Sequence, residues 1–320
     1  MLFMDKIYLR YKLLIIALMI SNFVFAQQQD TLSFLQITDT HLMFNLENYD
    51  SKVAHHRLET RGYRNANSNF KEFFQTVPLK TKSDFVIITG DIIDFHDART
   101  SNGKVLAFQV EAFASFLDTF HIPTYLTIGN HDLFSYEWGE DKVIPDQYKT
   151  GKARAAWIRN FDVFREGNYY SRIFQVGKTT YRLIFLDDSF YIFEEEEKMV
   201  PPYVDKPQLH WLKTQLEESD TDVEIILMHL PFTEKSIEAS SNNELYSLLS
   251  KSPGTKLILA GHRHRDAIMD IPQTSSVLVQ VETDALVKDV NHWRFVQLME
   301  NKITVSSMGS TEQEVVISLE

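Results

Sequence analysis

The 320 residues contain no cysteine. That absence excludes disulfides, zinc–thiolate and iron–sulfur sites, a thiol nucleophile and lipid attachment at cysteine. Positive charge is also scarce: 32 Lys and Arg stand against 44 Asp and Glu, a formal net charge of −12. A chain this acidic is no general polyanion binder, so no nucleic-acid polymer is expected as a partner, and any phosphate it handles must be met by a local positive field. Apolar runs long enough to span a membrane repeatedly are missing, which excludes a multi-span membrane protein. What remains is 44% hydrophobic and 24% charged. That balance excludes a disordered or collagenous chain, and the length suffices to bury a core without a structural staple.

The amino terminus has the order of a secretory signal. Lys6, Arg10 and Lys12 precede an apolar run from Leu13 to Ile20, extended by Phe23, Val24 and Phe25. Val24 and Ala26 put small residues at −3 and −1 of a cut before Gln27. Residues 1–26 are expected to be a cleaved signal peptide, leaving no stable membrane anchor, with the mature chain periplasmic or secreted.

Beyond it, short apolar runs predict strands buried on both faces, at Thr31–Ile37, Phe85–Thr89, Thr124–Ile128, Val223–Met228 and Lys256–Ala260. Helical spacing predicts helices at Asn67–Thr76, Lys104–Phe120, Lys206–Glu218 and Asn242–Leu249. The alternation implies α/β layers. Tyr169–Gln175 and Thr180–Asp187 read as a hairpin. Ser276–Val281, His292–Met299 and Lys302–Ser306 read as strands of a second sheet packed on the first. Residues 133–165, rich in Trp, Tyr and charge, read as an insertion with a helix near Ala153–Phe164. The acidic run Glu194–Glu197 reads as a solvated loop.

Every predicted strand except the hairpin and the tail ends in a polar cluster, where α/β folds place their ligands. The clusters supply Asp39, His41, Asp91, Asn130, His229, His262 and His264. Carboxylate, imidazole and amide oxygen together suit Mn, Fe or Zn. Seven such groups exceed the needs of one four-coordinate ion and suit two metals about 3.5–4 Å apart with one bridging carboxylate. In an extended Asp-x-His or His-x-His segment, residues i and i+2 point the same way, so each pair is expected to converge on one site. Gly90, Gly129 and Gly261 are expected to turn the backbone sharply beside the ligands. His121 and His210 read as structural, whereas His55 and His56 are candidates for lining the pocket.

Asp39-Thr40-His41, Gly90-Asp91-Ile92-Ile93-Asp94, Gly129-Asn130-His131-Asp132, His229 and Gly261-His262-Arg263-His264 occur in that order. This pattern resembles the calcineurin-like metallophosphoesterase superfamily over about Leu32 to Asp266. The resemblance implies a four-layered α/β/β/α sandwich, with residues 27–320 a single domain. It implies that Asp39, His41, Asp91 and His264 hold one metal and that Asp91, Asn130, His229 and His262 hold the other. It implies hydrolysis of phosphoesters by a hydroxide generated between the metals. His131 would face the substrate and protonate the leaving oxygen, with Asp94 orienting it or merely capping the loop. Phe95 stands where serine/threonine protein phosphatases carry arginine, and Asp94 where purple acid phosphatases carry a tyrosine ligand. Leu35–Leu42 and Gln208–Leu212 are similar to bacterial class III cyclic-nucleotide phosphodiesterases. A phosphodiester is therefore the favoured substrate, with a phosphomonoester or a non-catalytic binding role as alternatives. Within the insertion, Phe134, Tyr136, Trp138 and Trp157, with Lys152, Arg154 and Arg159, are candidates for substrate contact or for packing.

Overall fold

The apolar runs become parallel strands whose carboxyl ends share one edge. The computed structural model describes residues 30–100, 102–138, 143–146, 150–189, 202–219, 221–238, 243–273 and 276–319. The expected signal segment and the acidic run Glu194–Glu197 lie outside them. In chain order the elements are β1 (Thr31–Ile37), α1 (Ser51–His55), α2 (Ala66–Thr81), β2 (Phe85–Thr89), β3 (Asp97–Arg99), β4 (Val105–Leu106), α3 (Gln109–Leu117) and β5 (Thr124–Thr127). There follow β6 (Ser135–Trp138), β7 (Val143–Asp146), α4 (Thr150–Asn160), β8 (Tyr170–Val176), β9 (Thr179–Phe185), α5 (Lys206–Glu218) and β10 (Val223–Leu227). The chain continues with α6 (Glu234–Glu238), α7 (Glu244–Leu249), β11 (Thr255–Ala260), β12 (Ala267–Pro272), β13 (Val277–Glu282), β14 (Arg294–Met299), β15 (Lys302–Ser306) and β16 (Gln313–Ser318).

The first sheet has the order β16-β15-β14-β1-β2-β5, and the second β12-β13-β11-β10-β9-β8. Strands β1, β2 and β5 run parallel, as do β9, β10, β11 and β13. Alternation along the second sheet sets the layers. Leu183, Phe185, Ile225, Leu227, Leu257 and Leu259 join one core with the first sheet and with Phe70, Phe73, Phe113 and Trp157 of the helices beyond it. Their neighbours Ile184, Ile226 and Ile258 point the other way, into a second core with Leu212 of α5 and Leu245 and Leu249 of α7. The layers are thus helix, sheet, sheet, helix. Helix α5 starts where Asp205 accepts the backbone N–H of Gln208 at 3.0 Å, with proline in the first turn. Among the described residues no helix is long and apolar enough to cross a membrane.

Three expectations change. The predicted tail sheet is divided: β13 joins the second sheet, while β14, β15 and β16 extend the first. The predicted helix from Lys104 begins only at Gln109. Val105 and Leu106 instead pair with Ala98 and Arg99, after a turn at Gly103, whose φ is +83°. The insertion contributes β6 and β7 to a small sheet ordered β4-β3-β6-β7. Its helix α4 carries Trp157 into the core, fully buried, with the indole N–H donating to the Asp132 carbonyl at 3.2 Å.

Candidate metal centre

All seven proposed ligands lie in turns just past parallel strands: Asp39 and His41 after β1, Asp91 after β2, Asn130 after β5, His229 after β10, His262 and His264 after β11. Their backbone route differs from the extended one expected. Asp39, His41, Asp91, His262 and His264 all have left-handed φ, between +44° and +69°. Side chains converge because each chain segment kinks at the ligand itself, a conformation that costs roughly 1–3 kcal/mol per residue and clusters at functional sites. Of the glycines, Gly90 supplies a left-handed turn at φ +83°. Gly129 and Gly261 serve close approach instead. A Cβ on Gly129 would stand 2.2 Å from the Asp91 nitrogen, and one on Gly261 would stand 1.9 Å from Thr38 Oγ1.

Each carboxylate has one oxygen committed to the protein and one left for the centre. Asp39 Oδ2 accepts the His262 N–H at 2.8 Å and the Thr38 hydroxyl at 2.7 Å. Its Oδ1 is buried with no hydrogen-bond partner, 3.0 Å from His264 Nε2 and 3.8 Å from His41 Nε2. Asp91 Oδ1 accepts the His131 N–H at 2.7 Å. Its Oδ2 stands 3.1 Å from His229 Nε2 and 3.9 Å from His41 Nε2, between the two ligand groups. His229 donates its Nδ1 hydrogen to the Thr89 carbonyl at 2.9 Å, so its buried Nε2, which has no hydrogen-bond partner of suitable geometry, is the free nitrogen. Asn130 Oδ1 is likewise buried and unpartnered. A buried unsatisfied polar atom costs about 1–3 kcal/mol, so each of these ligand-type atoms marks a place for a missing partner. Oxygen and imidazole nitrogen are the donors that Mn, Fe and Zn take, so the residues fit a dinuclear centre. Three groups form: Asp39, His41 and His264; His41, Asp91 and His131; Asp91, His229 and His262. His41 and Asp91 each belong to two of the groups, and of the two Asp91 is the carboxylate, the group type that can serve two ions.

The electrostatics agree. Burial opposes a charge on Asp39, but His264, 3.0 Å from its Oδ1, and the nearby His229 hold its pKa at about 2. Burial also opposes a charge on His229, yet Asp91, Asp39 and Asp188 push it up to about 10, while burial beside His229 takes His262 down to about 4. The carboxylates therefore concentrate negative potential that draws cations. Two further buried acids brace the loops. Asp132 accepts the N–H groups of Ile93 and Gly129, and Asp188 those of His229 and Leu230. Burial lifts Asp132 to about 8 and Asp188 to about 7.

His131 and Asp94 meet, with a partner the sequence did not reveal. His131 Nδ1 lies 2.9 Å from the Asp94 carbonyl, 3.2 Å from the Tyr136 hydroxyl and 3.4 Å from Asp94 Oδ1. A carbonyl only accepts, so Nδ1 carries hydrogen and Nε2 is left for the substrate side. Asp94 Oδ1 also stands 3.3 Å from His41 Nδ1. Its strong bonds, however, come from Arg57, whose Nε and Nη2 reach the two carboxylate oxygens at 2.5 Å each. Tyr63 and Tyr136 flank that guanidinium at 5.3 and 5.0 Å, and Tyr63 stacks on His41 with centroids 4.4 Å apart. One arginine in an irregular segment has no spacing signal, so pattern reading passes over it.

The remaining candidates are placed as follows. His55 is exposed and His56 half-buried. Tyr136 is buried against His131, and the side chain of Trp138 lies outside the described residues. Phe134 and Trp157 are core, and Arg154 bonds Asp187 at 2.7 Å. Lys152 and Arg159 are exposed. Beside the centre runs an open cleft of about 260 Å³ lined by Thr60, Arg61, Gly62, Tyr63, His264 and Lys288.

Residues 32–266 match the family profile described as calcineurin-like phosphoesterase. No curated protein sequence matches the chain. Among solved structures, a dimetal phosphatase from Danio rerio is similar, at 16% identity and TM-score 0.54, over 90% of this chain and 99% of that one. The anchor in the inner membrane complex of Plasmodium is similar at 12% identity and TM-score 0.53, over 91% and 89%. A purple acid phosphatase from yellow lupin (Lupinus luteus) seeds is similar at 13% identity and TM-score 0.52, over 91% of this chain but 54% of that one. At such identities the likeness is one of fold.

Proposed function

The chain belongs to the calcineurin-like phosphoesterase family, and from that premise we propose that it is an exported dinuclear-metal hydrolase that prefers phosphodiesters to phosphomonoesters. The observation that carries the reading is the clustering of Asp39, His41 and His264, of His41, Asp91 and His131, and of Asp91, His229 and His262, each group with its donor atoms within 4.8 Å of one another. Asp39, His41, Asp91 and His264 would hold one ion, and Asp91, Asn130, His229 and His262 the other. Mn, Fe or Zn ions bound there would polarise the phosphoryl group and make a water nucleophilic near neutral pH.

This chain's residues do the rest. Arg57 fixes Asp94, and the Asp94 carbonyl and Tyr136 fix the His131 ring. Burial opposes a charge on His131, but Asp91 and Asp94 raise its pKa above the ordinary value, which suits a group that must hold a proton. As the new oxygen bonds to phosphorus and the ester P–O bond breaks, Nε2 would deliver that proton to the departing oxygen. The cleft leading away from His264 supports the diester reading, because it leaves room for a second ester group beyond the reacting phosphate.

The test is hydrolysis of bis(p-nitrophenyl) phosphate against p-nitrophenyl phosphate, with metal content measured on the same preparation. Two metals per chain and a faster diester reaction are expected. A monoester preference would move the assignment to a phosphatase. Export is tested by sequencing the amino terminus of the secreted protein, expected to begin at Gln27.

A further inference from the structure

One wall of the cleft beside His264 is Thr60–Tyr63, the segment in which a short helical turn ends. His56–Thr60 forms a π-helical turn, a rare device that recurs at functional sites. It places Arg57 and Arg61 one turn apart, and both guanidiniums lie against the Tyr63 ring, at 5.3 and 5.8 Å. The two charges then have different fates. Arg57 is buried and neutralised by Asp94. Arg61 is exposed at the cleft, 3.5 Å from the Tyr63 hydroxyl, and among the described residues no carboxylate pairs with it. Across the cleft, Lys288 donates to the His264 carbonyl at 2.7 Å and to Asp284 at 2.9 Å, so it is held in place with its charge partly shared. The positive field reaches His56, whose pKa falls through partial burial and the charges of Arg57 and Arg61. In a chain of net charge −12, two cations facing one cleft beside a proposed metal ligand stand against the background.

We propose that this cleft is a subsite for a second anionic group of the substrate, met chiefly by Arg61 and secondarily by Lys288, so that diphosphate diesters are preferred to diesters with a single phosphate. This rests on the phosphoesterase reading and refines it. The reacting phosphate sits at the ligands, and the departing group leaves as a phosphate monoester whose oxygens face Arg61. Water supplies the oxygen bound to the reacting phosphorus, the P–O–P link breaks, and the bridging oxygen departs on the second phosphate. Guanidinium–phosphate bonds are charge-assisted and frequently bidentate, which favours phosphate oxygens over neutral hydroxyls.

The experiment compares a dinucleoside diphosphate with bis(p-nitrophenyl) phosphate on metal-loaded wild type, Arg61→Ala and Lys288→Ala. It adds calorimetric binding of a non-hydrolysable α,β-methylene diphosphate diester. Arg61→Ala should lower the ratio of kcat/KM values, diphosphate over single phosphate, about tenfold, and weaken analogue binding by a similar factor. Lys288→Ala should lower the ratio about threefold, because Asp284 shares its charge. Hydrolysis with an unchanged ratio and unchanged analogue binding in Arg61→Ala would overturn the subsite. Absence of hydrolysis of either ester by wild type, with analogue binding still dependent on Arg61, would overturn the phosphoesterase reading and leave the subsite standing.

Discussion

Asp91 is the residue on which both proposed ligand sets depend, since its Oδ2 faces His229 and His41 while its Oδ1 is tied to the His131 backbone. Asp91→Asn should abolish turnover and lower metal content at both positions, read by elemental analysis of the folded variant. His131→Ala should keep both metals and lose about 10²–10⁴ in kcat, the usual range for a general acid. That loss should shrink for nitrophenolate, which departs without a proton. Arg57 makes a separate prediction. Burial alone would raise the Asp94 pKa, but the Arg57 guanidinium holds it well below the carboxylate range. A carboxyl depressed in the fold adds stability that is present above its unfolded value of about 3.9 and lost as pH falls through its folded value. The metal-free protein should therefore weaken in urea as pH drops from about 4, and Asp94→Asn should flatten that dependence. Arg57→Met should cost about 3–5 kcal/mol by stranding the Asp94 charge, and Arg57→Met with Asp94→Asn should recover part of it. At this scale the sequence shows the ligand-type residues, because motif order survives in one dimension. It does not show Arg57, whose meaning lies in a pair closed across 37 positions.

At the scale of elements, the insertion's aromatics divide in favour of packing over substrate contact. Short strands such as β6 and β7 have no period to detect in a segment crowded with aromatics. Their pairing, and the α4 helix that follows, turn Phe134, Tyr136 and Trp157 inward, where Trp157 meets Phe113 and Phe161 at 5.9 and 5.3 Å. The insertion is thus part of the core beneath His131. Trp157→Ala should cost about 3–5 kcal/mol, measured by denaturant titration. Shortening the segment between Phe134 and Trp157 should lose diester and monoester turnover together. The parallel strands were legible to within a residue or two, since a strand buried on both faces leaves an unbroken apolar run. Loops are harder. The left-handed kinks at Asp39 and His41 follow from contacts such as the Asp39 N–H to Gly90 carbonyl bond at 3.1 Å, which residue types alone do not specify.

For the whole molecule, metal and stability are coupled. Ions that bind the folded chain and not the unfolded one stabilise it by RT ln(1 + [L]/Kd), about 2.7 kcal/mol at a hundredfold excess over Kd. Stripping metal with a chelator should therefore lower Tm by about 5 °C or more, restored by manganese or zinc in a thermal scan. The layered architecture was legible from the alternation of strands and helices. The distribution of the tail between two sheets was not, because local pattern carries no record of which edge a strand will find. That distribution also governs how the chain is made. The central strand β1 is flanked by β2, which follows it closely, and by β14, near the far end of the sequence. During vectorial synthesis, β1 emerges with half of its ladder bonds unmet and waits for residues 294–299. Until then its open edge is a template for wrong pairing, which a chaperone must shield, and a chain stopped short of β14 should be cleared as an aggregate or by proteolysis.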